Sequence, residues 1–327
     1  MYKEKIGEKR MRKNTNNEHI EGKIYQHTLE LKTVQNQQSD NYGKAYIQGT
    51  VEVAVDNEGL NVIPVNFVFV TENTKKGGKN RTYSELMKII NEGKTWLSDG
   101  PEAATMVSID TSLGLNDFVA SDGTMVSQMI NQGGFLSVVS KINEDMGLRH
   151  TFKTDVVLTS VVRVEADPEK NITEDFLRVK GAAFDFRNSV LPVEFIVRNP
   201  GGIKYFEDLD VSPSQPVYTC VWGKINFNTV STSTTEESAF GEAAVSTRER
   251  KIKEWTITGA SKVPYDFGDE AVMTPEELTK AMQDRQVYLA ELKKQREEYM
   301  AQKNASAPTA FATPAATANV AAGGFNF

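Results

Sequence analysis

Cations and aromatic rings share one parity in several strand-like segments. That combination suits a polyanion with exposed rings of its own: ammonium and guanidinium groups attract phosphates, and aromatic faces accept unstacked bases. Side chains alternate across a strand, so residues two apart lie on one face. Over residues 176–186, Arg178, Lys180, Phe184 and Phe186 oppose Leu177, Val179 and Ala183. Over 216–228, Tyr218, Cys220, Trp222, Lys224 and Asn226 oppose Val217, Val221, Ile225 and Phe227. Lys251, Lys253 and Trp255 line up in a third segment. In the first half of the chain, Lys44, Tyr46 and Gln48 oppose Ala45, Ile47, Gly49, Val51 and Val53, while Phe67 and Phe69 share the parity of Ile63 and Val65 and are expected in the core. The loop Lys75-Lys76-Gly77-Gly78-Lys79-Asn80-Arg81 adds four cations on a backbone that glycine lets approach phosphates closely. The competing reading for any single ring (Phe184, Phe186 or Trp255) is that it fills or covers a barrel, since large aromatics are usually partly buried. The loop's competing reading is an ordinary solvated connection.

Catalytic constellations are not visible. His19, His27, His150 and the single cysteine, Cys220, show no metal-ligand spacing, and no nucleophile elbow occurs. Gly93-Lys94-Thr95 imitates the end of a phosphate loop, but Lys88 stands where that loop needs its first glycine. Glu236-Glu237 falls in a polar stretch. The sequence therefore predicts a protein that is not an enzyme and needs no metal or cofactor.

The elements that would carry these faces are written twice. Each copy reads strand, strand, strand, short helix, strand, strand. Pro64-Val65-Asn66-Phe67-Val68 answers Pro192-Val193-Glu194-Phe195-Ile196, and Gly114-Leu115-Asn116-Asp117-Phe118 answers Gly223-Lys224-Ile225-Asn226-Phe227. Ordered matches of this kind argue for duplication of one β module, and five strands with a helix after the third is the order of an OB barrel. The expected fold is mainly β: two tandem OB-fold-like five-stranded barrels, a C-terminal α-helix and a disordered tail. The expected boundaries are a flexible basic arm over 1–21, barrels over 22–145 and 146–268, a helical extension over 269–304 and a tail over 305–327. First strands are expected from Ile24 and from Asp155, and helices over 84–91, capped by Ser84, and 203–209. A mobile polar loop is expected over 229–249. Thr274-Pro275-Glu276-Glu277 reads as a helix start. Of the two modules, the second carries the stronger aromatic and basic face.

Bulk properties bound the setting. Hydrophobic residues make up 39% and charged residues 25%, as in ordinary globular chains. The net charge of -7 is unevenly spread: residues 1–13 hold six basic and two acidic residues, and 266–298 hold nine acidic and five basic. One cysteine, no signal peptide and no apolar run of membrane length predict a cytoplasmic protein without a membrane partner.

With its duplicated module, its Pro-Val-x-Phe strand and the stretch Leu115-Asn116-Asp117-Phe118-Val119 followed by Asp122-Gly123 and Val126-Ser127, the chain resembles bacteriophage single-stranded DNA-binding proteins with tandem OB domains. The resemblance covers residues 22–264. It implies largely sequence-independent coating and protection of single-stranded DNA in replication, recombination and repair. It also implies recruitment of replication or recombination proteins through the C-terminal helix or tail, where Phe325 and Phe327 resemble an aromatic hook. The tail departs from the bacterial pattern in having no acid after Glu298. Two other readings compete: a β-sandwich assembly protein of a phage particle, and a mediator that anneals strands. On the leading reading, replacing Trp222 or Trp255 by Ala weakens DNA binding without unfolding the module.

Overall fold

In the computed structural model, which describes residues 14–167, 172–236, 240, 244–267 and 274–305, one sheet of eleven strands closes on itself twice. The first closure uses β1 (Asn16–His27), β3 (Ala45–Ala54), β4 (Val62–Thr71), β5 (Met106–Val119) and β6 (Met125–Val138), with β2 (Glu30–Thr33) added at the edge of β3. β1 pairs antiparallel with β3 and β5, β3 with β4, and β5 with β6. A short parallel contact between β4 and β6, through Val65–Asn131 and Asn66–Gln132, shuts the barrel. Helices α1 (Arg81–Glu92) and α2 (Trp96–Asp99) lie between β4 and β5.

The second closure repeats the plan with β7 (His150–Val164), β8 (Phe176–Phe184), β9 (Val190–Val197), α3 (Pro200–Asp208), β10 (Val217–Glu236) and β11 (Ala244–Ala260). β7 pairs with β8 and β10, β8 with β9, and β10 with β11. The parallel closure is Thr256 against Ile196. Both halves are thus OB-like barrels, as the repeat predicts, and not the stacked sheets of the sandwich alternative.

Period-two patterning fills both interiors. Ile47, Val51, Val53, Ile63, Val65 and Phe67 point into barrel one, with Leu86 and Ile89 of α1 as its plug. Val179, Val193, Phe195, Val221, Ile225 and Ile257 fill barrel two beside Phe206 of α3, and Phe152 stacks on Phe195 at 5.3 Å between centroids. Gly49 marks the bulge of β3; at its φ of 142° a Cβ would sit 2.4 Å from the Thr28 carbonyl oxygen, so only glycine lets the β1–β2 corner close here.

The barrels are fused, not strung. The first half of β1 pairs with the first half of β7, from Asn16–Thr154 to Ile20–His150. Asn16 ties both barrels: its Nδ2 donates to the Leu113 carbonyl at 2.9 Å and to the Phe184 carbonyl at 3.1 Å. Arg149 donates to the Val55 carbonyl, and the backbone N–H of Phe227 on β10 donates to Asn61 Oδ1 at 2.9 Å. Helix α4 (Pro275–Ala305) braces the back: Leu278 and Ala281 pack against the Val157–Phe184–Tyr218 cluster of barrel two. Its Arg285 guanidinium donates to both oxygens of Asp117 in barrel one, at 2.8 and 3.2 Å. Thr274 and Glu277 form the expected capping box at its start.

Several boundaries differ from expectation, for local reasons. β1 begins at Asn16, inside the stretch expected to be an arm, because alternating Glu18, Ile20, Gly22 and Ile24 are buried by β7 and β5; residues 1–13 lie outside the described ones. α1 starts three residues before Ser84, since Asn80 is the cap and accepts from the Thr82 N–H. β6 starts at Met125, ahead of the expected Gly134, and forms a hairpin with β5. β7 starts at His150, ahead of the expected Asp155. The polar stretch expected as a mobile loop instead continues β10 and β11 as a paired ribbon out to Glu236–Ala244, its strands satisfying each other's backbone groups. The tail beyond 305, including Phe325 and Phe327, lies outside the described residues.

Candidate nucleic-acid interface

Where β1 meets β7, six strands (β6, β5, β1, β7, β10 and β11) run side by side across both barrels. Their outward faces line a cleft of about 960 Å³. Register places its side chains in rows. One row crosses Phe135, Asp110, His19, Thr151 and Lys224. The next crosses Asn17, Lys153, Trp222 and Gly259. The alternate residues, Glu18, Ile20, Phe152 and Thr154, turn inward and are buried. The result is a saddle with one exposed ring on each side: Phe135 of barrel one at 77% exposure and Trp222 of barrel two at 40%. Lys153 stands beside Trp222 on β7, and Lys224 two residues along from Trp222 on β10. Trp222 is seated, not loose: a Cβ on Gly259 would lie 2.4 Å from its Nε1, so the indole rests on bare backbone.

Beneath the floor lies a buried carboxyl. Glu18 on β1 accepts from Thr111 Oγ1 of barrel one at 2.7 Å and from Trp255 Nε1 of barrel two at 2.9 Å. Burial outweighs these two bonds and pushes its pKa up from 4.5 to about 7. The folded protein therefore holds a proton that the unfolded chain releases above about pH 4.5. Glu18's contribution to stability is complete below that pH and falls as pH rises to about 7, by about 3 kcal/mol in all. Glu18→Gln satisfies the same partners, its Oε1 accepting from Trp255 and its amide donating to Thr111. The difference in unfolding free energy between wild type and Glu18→Gln, measured by denaturant titration at several pH values, should show this slope; a difference independent of pH would contradict it.

The structure divides the predicted contact residues. Trp222 and Lys224 line the saddle. Lys75, Lys76, Lys79 and Arg81 are exposed on a loop whose end is fixed beside it: Thr82 Oγ1 donates to the carbonyl of Gly134, next to Phe135. Lys44 and Tyr46 lie on the outer face of barrel one, where Tyr46 packs against Phe69 at 4.6 Å and faces Lys32 across the β2–β3 pair. Phe69, expected in the core, is exposed, whereas Phe67 is buried. Lys251 and Lys253 are exposed on the outer part of β11, with Lys253 Nζ 5.8 Å from the centre of the Phe227 ring.

Three predicted stacking residues are corrected. Phe184, Tyr218 and Trp255 are buried. Phe184 and Tyr218 do face away from the barrel interior, but Tyr265, Phe267 and α4 cover that outer face. Trp255 shares its parity with exposed Lys251 and Lys253, but β11 enters the barrel between Lys253 and Trp255, so one row passes from solvent to core. Phe186 lies just past the end of β8, exposed, with the Arg187 guanidinium over its ring. Arg178 and Lys180 are both engaged by Glu194 of β9, at 3.0 and 3.5 Å, and Lys180 borders the groove under Leu278 and Met282 of α4. The outer face of β8 and β9 is thus partly compensated in charge and partly roofed, and the open aromatic and cationic surface is shared between the barrels, with Phe135 from barrel one and Trp222, Lys153 and Lys224 from barrel two. Sequence reasoning missed His19 and Lys153 because it began β1 and β7 too late; Phe135 lay within an expected strand, but its exposure depends on the pairing of β5 and β1 beside it, which no local pattern shows. Among the described residues, no group of histidine, cysteine and carboxylate side chains is arranged to hold a metal. Burial pushes the Cys220 thiol up to about 11, which makes it a poor nucleophile.

No curated protein matches the chain. Among solved structures, the wild-type single-stranded DNA-binding protein from Thermus aquaticus is 10% identical with a TM-score of 0.45, over 77% of this chain and 95% of that one. A deletion mutant of the same protein is 12% identical with a TM-score of 0.44, over 79% and 98%. A replication protein A heterotrimer bound to single-stranded DNA is 9% identical with a TM-score of 0.18, over 82% and 69%. Superpositions this loose decide nothing, and the barrels are identified by their strand order. A family model described as YorF matches residues 15–295, nearly all of the described chain, and the protein therefore belongs to the YorF family.

Proposed function

We propose that the protein binds single-stranded DNA without catalysis, with the saddle between its barrels as the centre of the path and the Lys75–Arg81 loop as its approach. The observation that carries this reading is the pairing of Phe135 and Trp222 across a floor bearing Lys153 and Lys224. Rings of this kind stack on any base, and cations track any backbone, so binding is largely indifferent to sequence. A duplex offers no free base faces to such rings, so single strands are preferred. The resemblance in sequence to phage proteins supports a coating role in replication and recombination within a bacterial cytoplasm, with protein partners reached through α4 or the tail.

Counterion release gives the test. A strand contacting roughly four to six of these cations should lose affinity with a log–log salt slope of about -3 to -4. Fluorescence anisotropy of a labelled oligonucleotide across a salt series measures it. A flat slope, or equal affinity for duplex and single strand, would sink the proposal.

A further inference from the structure

The saddle floor carries a group that a surface made only to hold phosphates would omit. Asp110 has a side chain 71% exposed in the middle of the cleft, where a carboxylate repels the backbone. It is held in place: His19 Nδ1 lies 2.9 Å from its Oδ1. Its Oδ2 has no side-chain partner among the described residues. Directly across the β5–β6 pair stands Phe135, the most exposed ring of the cleft. Paired residues on one face have Cβ atoms roughly 5 Å apart, about the reach from the face of a stacked base to its hydrogen-bonding edge.

We infer that Phe135, Asp110 and His19 form a base-reading position within the path, which favours a base with an exocyclic amine (cytosine, adenine or guanine) over thymine. A base stacked on Phe135 turns its edge toward Asp110. An amine there donates to the carboxylate, as in carboxylate readout of cytosine N4. Thymine presents O4 at that point, acceptor against acceptor. His19 keeps the carboxylate aimed. The inference rests on the proposed single-strand function and adds a preference that stacking and phosphate contacts do not supply.

Oligomers of dC and dT of equal length test it, because the two pyrimidines have rings of similar size. The wild-type protein should bind dC about tenfold more tightly than dT, the scale of one hydrogen bond to a charged acceptor. In Asp110→Asn the ratio should fall to near one, since an amide can serve either base. Asp110 is exposed, so the thermal melt of this variant should match wild type. Equal wild-type affinities for dC and dT would overturn the inference and leave the single-strand reading standing. Failure of both oligomers to bind would overturn that reading itself. A dC preference that survives in Asp110→Asn would overturn the role of Asp110. So would an Asp110→Asn protein that binds both oligomers more tightly at an unchanged ratio, which would make Asp110 only a source of repulsion.

Discussion

Trp255→Ala should cost the fold about 3–5 kcal/mol, the usual penalty for emptying a buried tryptophan site. Trp255 is buried and packs edge-on against Phe227 at 5.1 Å. Its Nε1 also supplies one of the two side-chain donors to buried Glu18, so truncation strands that carboxyl at the joint between the barrels. Trp255→Phe keeps most of the volume and loses the bond, and should cost about 1–3 kcal/mol. Denaturant unfolding followed by circular dichroism separates the two. At temperatures where the Ala variant remains folded, its DNA affinity should stay close to wild type, the opposite of what strand parity alone predicts for this residue.

Phe135→Ala and Trp222→Ala should behave in reverse. Phe135 is largely solvent-facing, so its unfolding midpoint should move little; Trp222 packs on Gly259 with one face, so its midpoint should fall somewhat more, though less than that of Trp255→Ala. Each should lose about 1–3 kcal/mol of affinity for single strands, or roughly tenfold to a hundredfold. The rings stand on different barrels at opposite sides of the cleft, so the double variant should show nearly the sum of the two losses. A double variant no weaker than either single one would mean that the strand engages only one barrel.

The fold was largely legible because its core obeys a period of two and its last helix carries the expected capping box. Pro64 and Pro192 and the two Phe-bearing third strands fall where the repeat requires, and the capping box at Thr274 starts α4 beyond it. The site was legible only in part. Parity sorts the two faces of a strand, but it does not say what lies against the outer one. Phe184 and Tyr218 share a face with cations and are nonetheless covered by α4 and by Tyr265. Trp255 follows Lys251 and Lys253 in a single row that changes environment along its length. The saddle itself arises from the pairing of β1 with β7, which joins residues about 134 positions apart (Ile20–His150, Asn16–Thr154). No local pattern encodes such a junction. One signal was available: Glu18, Ile20, Gly22 and Ile24 alternate with polar residues, which marks a strand where a basic arm was expected.

Intrinsic tryptophan fluorescence tests the central claim most directly, because the chain has three tryptophans and only one lies in the saddle. Trp96 packs beside Tyr25 and Trp255 is buried, so with Trp96 replaced by Phe the remaining solvent-facing reporter is Trp222. Titration with a dT oligomer should quench this emission in step with binding measured by anisotropy, and a further Trp222→Phe change should abolish the quench while preserving part of the affinity. Binding that leaves Trp222 emission unaltered, or a quench that persists without Trp222, would place the strand elsewhere and contradict the account.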